Sequence, residues 1–313
     1  MVRSASILLL LLAACALRPA APVAAPVEVS VTVDDLPLHG ALIDGWTRVE
    51  LAQRMVKTFQ AHGLPPIYGF VNAGKVEAEP SSRAVLDAWK AGGQRFGNHS
   101  YAHRNLDETP LEDYLADIAR NEALLSQLES PAVWHVYRYP YLHEGKELEK
   151  RRAVRTYLKA HGYRIAEVSI DADDWAFSSP LARCAAQQNT AQLEKLRAEF
   201  VAVHVDELRR MRALGRTLEG REIRQVLLLH LGVADVDALD ELLTAYEREG
   251  VKWVSLDRAL DDPFYAVDPD IGFKAGAAFP YVVARARGVK VEPPIYARGL
   301  EERLEATCRE TTK

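Results

Sequence analysis

The chain has 313 residues, 48% of them hydrophobic and 27% charged, with a formal net charge of −5 and three cysteines. This composition supports a full hydrophobic core and excludes a disordered chain. The negative balance and the lack of a long basic run exclude nucleic acid as the main partner, since phosphate binding needs clustered Lys and Arg.

The first residues, MVRSASILLLLLAACALRPAAPVAAPV, place Arg3 before an apolar run at 7–12 and then small residues. That order reads as an export signal, too short to span a bilayer as a mature helix. Leu12-Ala13-Ala14-Cys15 resembles a bacterial lipobox, which predicts a removed segment 1–14 and lipidation at Cys15. An ordinary cut near Ala21 or Ala25, with Cys15 discarded, is the alternative. Residues 15–27 are then an Ala/Pro-rich tether. The expected location is the periplasm or cell envelope, with membrane contact only through the lipid anchor.

Beyond the tether, short β-rich runs alternate with longer amphipathic ones. VEVSVTVDD, PPIYGFVN, QRFGNHS, AVWHVYRYP, YRIAEVSID, RQVLLLHLG and VKWVSLDRAL are separated by helix-like stretches such as 47–62 and 111–128. Alternation of this kind indicates an α/β fold built on a parallel sheet or barrel. Several runs end in polar residues: Asp34-Asp35, Asn72, His99, Arg138, Asp171 and His230. In α/β barrels the C-terminal strand ends carry the active site, so these residues are expected on one rim. The stretch 190–218, rich in Glu, Arg and Leu, reads as a covering helix with a solvated charged face. A body at 28–261 is followed by a Pro- and Gly-punctuated extension at 262–313 that wraps it. Cys184 and Cys308 are either one disulfide or a buried thiol and a loose one; their spacing leaves both open.

His99 and His103 pose the central question. If helical, residues four apart share a face, and neutral imidazole is a common ligand for zinc and similar ions. The alternative is a surface turn in which Asn98 and Ser100 act as caps. A third ligand is available at the end of the first strand. Successive strand residues point oppositely, but at a frayed end Asp34 and Asp35 can both face the rim, one holding a metal and the other serving as base. Asp35, His99 and His103 make a two-His, one-carboxylate set that leaves positions open for water and substrate.

The ordered residues resemble the polysaccharide deacetylase family, carbohydrate esterase family 4, with its NodB-type domain. Thr32-Val33-Asp34-Asp35 resembles its first motif, His99-Ser100-Tyr101-Ala102-His103 its second and Arg138-Tyr139-Pro140-Tyr141 its third, where Leu142 replaces the usual glycine. Asp171-Ala172-Asp173-Asp174-Trp175 and Leu228-Leu229-His230 resemble the fourth and fifth. The resemblance implies a distorted (β/α) barrel of about seven parallel strands. It implies that Asp35, His99 and His103 hold a divalent ion, zinc above all, with cobalt or another ion as substitutes. It further implies that Asp34 is the base, that Arg138 pairs with it, and that the Tyr141 backbone N–H stabilises an oxyanion. His230 is then the acid, oriented by Asp174, and Trp175, Leu228 and Tyr141 bound the acetyl pocket. The substrate implied is an N- or O-acetylated carbohydrate.

Two other functions fit the same residues: a carbohydrate-binding lipoprotein that has lost turnover, and a hydrolase of C–N bonds outside sugars. Retention of a base and acid pair argues against the first. His39 and His143 lie near the expected rim, whereas His62, His135, His161 and His204 receive no role. Nothing in the sequence indicates an oligomeric state.

Overall fold

The structure, a computed structural model, describes residues 26–292, 294 and 298–309. The expected export segment, Cys15 and the tether up to residue 25 lie outside the described residues.

Among the described residues seven strands form a parallel sheet: β1 (Val27–Leu36), β2 (Tyr68–Val71), β3 (Arg95–Asn98), β4 (Val136–Tyr137), β5 (Arg164–Ile165), β6 (Gln225–His230) and β7 (Val251–Trp253). Their order is β5-β4-β3-β2-β1-β6, and β7 pairs with the first residues of β1. The chain after β5 returns to the far edge of β6, where Ile170 bridges Leu227 and bends the sheet toward closure. The result is the distorted (β/α) barrel expected. Its central strands are buried on both faces because helices and loops cover both; β1 exposes only a little of Glu28.

Helices separate the strands. In chain order they are α1 (Arg48–Ala61), α2 (Ala73–Ala78), α3 (Arg83–Ala91), α4 (Leu111–Leu128), α5 (Pro131–Trp134), α6 (Leu148–Ala160), α7 (Ser178–Ala186), α8 (Thr190–Glu219), α9 (Val233–Arg248), α10 (Leu256–Leu260), α11 (Phe279–Ala286) and α12 (Leu300–Ala306). Thr47 and Glu50 form a reciprocal capping box that starts α1. Leu51, Met55, Val56 and Phe59 then give that helix one apolar face.

Three local expectations change. Within AVWHVYRYP only Val136–Tyr137 is strand, because Ser130-Pro131 begins a helical turn that takes Ala132 to Trp134. The strand at YRIAEVSID is likewise just Arg164–Ile165 before the chain leaves for β6. Helix α8 covers the barrel as expected, but its polar residues are not all solvated. It packs against α7, α9 and α11, which buries His204, Glu207 and Arg212.

Cys184 on α7 and Cys308 beyond α12 form a disulfide that spans 124 residues of sequence. Arg183 reinforces it by donating to the carbonyls of Leu304 and Thr307. Closing so long a loop removes denatured-state entropy worth about 3–5 kcal/mol. Replacing both cysteines by serine, or adding reductant, is therefore expected to lower the melting temperature by several degrees in calorimetry. An unchanged transition would mean that the tail adds no stability through this bond.

Candidate active site

The end of β1 does not continue as regular strand. Its register with β2 shifts between Val33 and Leu36, and Asp35 takes a left-handed conformation with φ 68°. Aspartate tolerates that region better than most residues. The bulge cancels the alternation of a pleated strand and turns both carboxylates toward the rim.

Asp34 is buried and fully engaged. Arg138 Nη1 donates to both of its oxygens at 3.0 Å, while Nη2 donates to Thr32 Oγ1 at 3.1 Å and Nε to the Ala166 carbonyl at 2.6 Å. The guanidinium lies over the Phe70 ring at 4.6 Å. Burial raises the Asp34 pKa, and the adjacent arginine opposes that rise. In strand register Asp34 lies beside His230 on β6.

Asp35 has different partners. His39 Nδ1 donates to Oδ2 at 3.0 Å, and Lys75 Nζ on α2 lies 2.8 Å from Oδ1. Burial alone would raise this carboxyl; the His39 hydrogen bond and the charges of Lys75 and His103 hold it well below the usual range. Oδ1 nevertheless accepts no hydrogen bond, because the Lys75 ammonium is an ion pair without hydrogen-bond geometry. Two imidazole nitrogens flank that same oxygen, His103 Nε2 at 3.4 Å and His99 Nε2 at 3.9 Å. Ligands bonded at about 2.0–2.1 Å in a tetrahedral zinc site stand roughly 3.3 Å apart, so the set has the right size.

The tautomer fits as well. His99 Nδ1 donates to the Arg138 carbonyl at 2.9 Å, which leaves the Nε2 lone pair toward Asp35. Burial drives the pKa of both His99 and His103 down to about 3, so both are neutral and able to ligate. A carboxylate oxygen that accepts no hydrogen bond, set between two neutral imidazoles with only the Lys75 charge beside it, could hold a divalent cation with them. Asp35, His39 and His230 form a second three-residue group of the same kind, sharing Asp35.

The histidine pair is not helical. Residues 99–105 form a loop in which Ser100 and His103 have φ of 62° and 51°. A buried asparagine network shapes it. Asn98 Oδ1 accepts from the Ser100 N–H and from Asn121, and Asn72 donates to the carbonyls of His99 and Ser100. Asn98 thus does act as a local cap, on a turn rather than a helix.

His230 Nδ1 donates to Asp174 Oδ1 at 3.0 Å, and its backbone N–H donates to Oδ2 at 2.7 Å. Burial pushes the imidazole pKa down, but Asp174 outweighs it and raises it to about 9. At neutral pH the ring carries its proton. Asp235, in the first turn of α9, is fully buried against Asp174. Burial and the neighbouring Asp174 hold its carboxyl well above the usual range. His39 stacks on His230 with ring centroids 4.2 Å apart.

A cavity of about 530 Å³ opens beside these groups. Leu228 and the half-exposed Trp175 line it, together with Asp171 and Asp173. Burial and the nearby Asp173 and Asp174 push Asp171 up to about 7. Tyr141 stands over His103, ring centroids 4.4 Å apart, and its side chain is exposed. Tyr141 and Leu142 both have positive φ, 57° and 54°. Leu142 therefore adopts the conformation for which glycine is suited, at a cost of about 1–2 kcal/mol.

All the site residues expected from the sequence meet at one rim, except Cys15, which is not among the described residues. Sequence reasoning missed Lys75, Asp235 and Asn121, and gave His39 no partner. The lysine and Asp235 sit in helices with ordinary surface-like sequences. For His39 the proximity to Asp34-Asp35 was the available signal.

The family model for "Polysaccharide deacetylase" matches residues 24–166. Among solved structures, the polysaccharide deacetylase Bc1974 from Bacillus cereus is similar at 17% identity, covering 74% of this chain and 92% of its own, with a TM-score of 0.52. BA3943 from Bacillus anthracis, described as a CE4 family pseudoenzyme, aligns at 15% identity over 75% of this chain and 66% of its own, with a TM-score of 0.50. A BA3943 mutant with restored enzymatic activity aligns at 16% identity over 75% and 68%, TM-score 0.51. At such identities these likenesses show the fold. No curated protein matches the sequence.

If Asp174 holds His230 protonated, a ring titration followed by NMR should give a pKa near 9 in the wild type. In Asp174→Asn it should drop to near or below the ordinary 6.5, because burial is then unopposed. A value near 9 in Asp174→Asn would contradict the assignment.

Proposed function

The chain belongs to the polysaccharide deacetylase family over residues 24–166, and on that premise we propose that it is a metal-dependent hydrolase that removes acetyl groups from an N- or O-acetylated carbohydrate. The observation that carries this reading is the separation of two adjacent carboxylates. Asp34 is committed to Arg138, while Asp35 presents Oδ1, ion-paired to Lys75 but accepting no hydrogen bond, between two neutral histidines.

Asp35, His99 and His103 would hold the ion, zinc by the chemistry of the donors, with cobalt or another divalent ion as substitutes. Such an ion, when bound, supplies Lewis acidity toward the acetyl carbonyl and acidifies water. Asp34, aimed by Arg138, accepts a proton from the attacking water as its oxygen bonds to the acetyl carbon. The Tyr141 N–H donates to the carbonyl oxygen as negative charge gathers there. His230, cationic through Asp174, then gives its proton to the leaving nitrogen or oxygen as that bond breaks. Water is consumed and acetate and the free amine or hydroxyl are released, which restores the balance when the Asp34 proton passes to His230. Trp175 and Leu228 enclose the acetyl methyl.

Asp34→Asn should keep bound metal near wild-type stoichiometry while acetate release falls by roughly 100- to 10,000-fold, the usual effect of losing a general base. Asp35→Asn should lower both together, and a chelator should abolish activity that a divalent ion then restores. Full activity in Asp34→Asn, or metal loss equal to that in Asp35→Asn, would overturn the assignment.

Residues 1–15 support an exported protein anchored through a lipid on Cys15. Expressed in a bacterial host, the wild type should then fractionate with membranes and Cys15→Ser should not. A soluble wild type whose N-terminus begins near Ala21 would show the lipobox to be a coincidence.

A further inference from the structure

The cavity at the rim has a wall that the five motifs do not supply. Residues 272–279, which lead into α11, lie across the loop that follows Arg138. Phe273 N–H donates to the Gly145 carbonyl at 3.0 Å, and Phe279 N–H donates to the Val168 carbonyl at 2.7 Å. The segment is thus fastened at one end to the loop after β4 and at the other to the chain after β5.

Between these anchors it approaches the loop at backbone distance. A Cβ on Gly272 would lie 2.1 Å from the Lys146 carbonyl oxygen. One on Gly276 would lie 1.7 Å from the Tyr141 carbonyl oxygen and 2.8 Å from His143 Cδ2. Only glycine permits this contact, because any side chain would occupy the space of the neighbouring backbone. Ala275 and Gly276 consequently line the cavity next to Tyr141, the residue that stands over His103.

A polymer acted on at an internal sugar must leave the site in both directions. Here the side between the β4 and β5 loops is occupied by a strap pinned at both ends. The cavity, about 530 Å³, ends against this strap, whose Ala275 and Gly276 separate it from a second cavity of about 810 Å³ on the strap's far face. Resting on the deacetylase reading above, we propose that residues 272–279 make the site blind on one side, so that its substrate is a short acetylated oligosaccharide or the terminal sugar of a longer one.

The test is acetate release from N-acetylated oligosaccharides of one to six sugars and from the corresponding polymer, with the deacetylated position mapped by mass spectrometry. The wild type should release acetate from a terminal sugar, with a kcat/KM per acetyl group on the polymer about 100-fold or more below that on the dimer, the scale of a steric exclusion. Gly276→Ala should push the strap off Tyr141 and shrink that preference about tenfold or more; if this variant does not fold, the wild-type product map decides alone. Release from internal sugars as fast as from ends overturns the blind site and leaves the deacetylase reading standing. No acetate from any carbohydrate, with metal bound, overturns both.

Discussion

The rim depends on one break in the backbone, the register shift of β1 between Val33 and Leu36 with Asp35 at positive φ. Regular strand would send Asp34 and Asp35 to opposite faces, one into the barrel and one into the surrounding helices. The bulge brings both to the same end of the sheet. From there each meets a different environment: Arg138 from β4's end for Asp34, and the histidine loop after β3 for Asp35. Two identical side chains, adjacent in sequence, acquire distinct chemistry from that single local distortion.

The electrostatics follow from how the surrounding charges are spent. Arg138 is almost fully buried and uses its guanidinium on Asp34, Thr32 and Ala166, with the Phe70 ring beneath it. That arrangement opposes part of the burial that raises the Asp34 pKa. His99 and His103 go the other way and are driven neutral by burial, which is the state a cation needs. Lys75 places a positive charge against Asp35, offsetting the carboxylate's burial where a cation would otherwise do so. On the far side His230 is held cationic by Asp174, beside which Asp235 is buried with its carboxyl raised well above the usual range. The fold therefore sets Asp34, the two rim histidines and His230 into different electrostatic environments within a few ångströms.

Much of this was legible in the sequence, for physical reasons that differ by element. Long amphipathic stretches carry a periodicity that survives any tertiary context, and α4 spans the same residues, Leu111–Leu128, that its pattern indicates. Strands β4 and β5 are only two residues long, too short for alternation to mark their limits, and Pro131 hid a helical turn inside an apolar run. The polar strand ends pointed to the rim because parallel α/β topology gathers them there. What stayed hidden were contacts made through space by unremarkable residues. Asn121 lies mid-helix and Asp235 reads as a helix N-terminal acid, yet one shapes the histidine loop and the other supports Asp174. The disulfide was likewise undecidable from spacing, since 124 residues of chain place no limit on where its two ends meet.

The bulge in β1 leaves Asp34 to Arg138 and turns Asp35 toward His99 and His103, the set proposed to hold the cation. A crystal structure of the zinc-loaded protein, with the ion located by anomalous scattering at the zinc edge, tests this directly. An ion about 2.0–2.2 Å from Asp35, His99 and His103 is expected, with Arg138 Nη1 still on both oxygens of Asp34. An ion bonded to Asp34, or one held by His39 and His230 with His99 and His103 free, would contradict it.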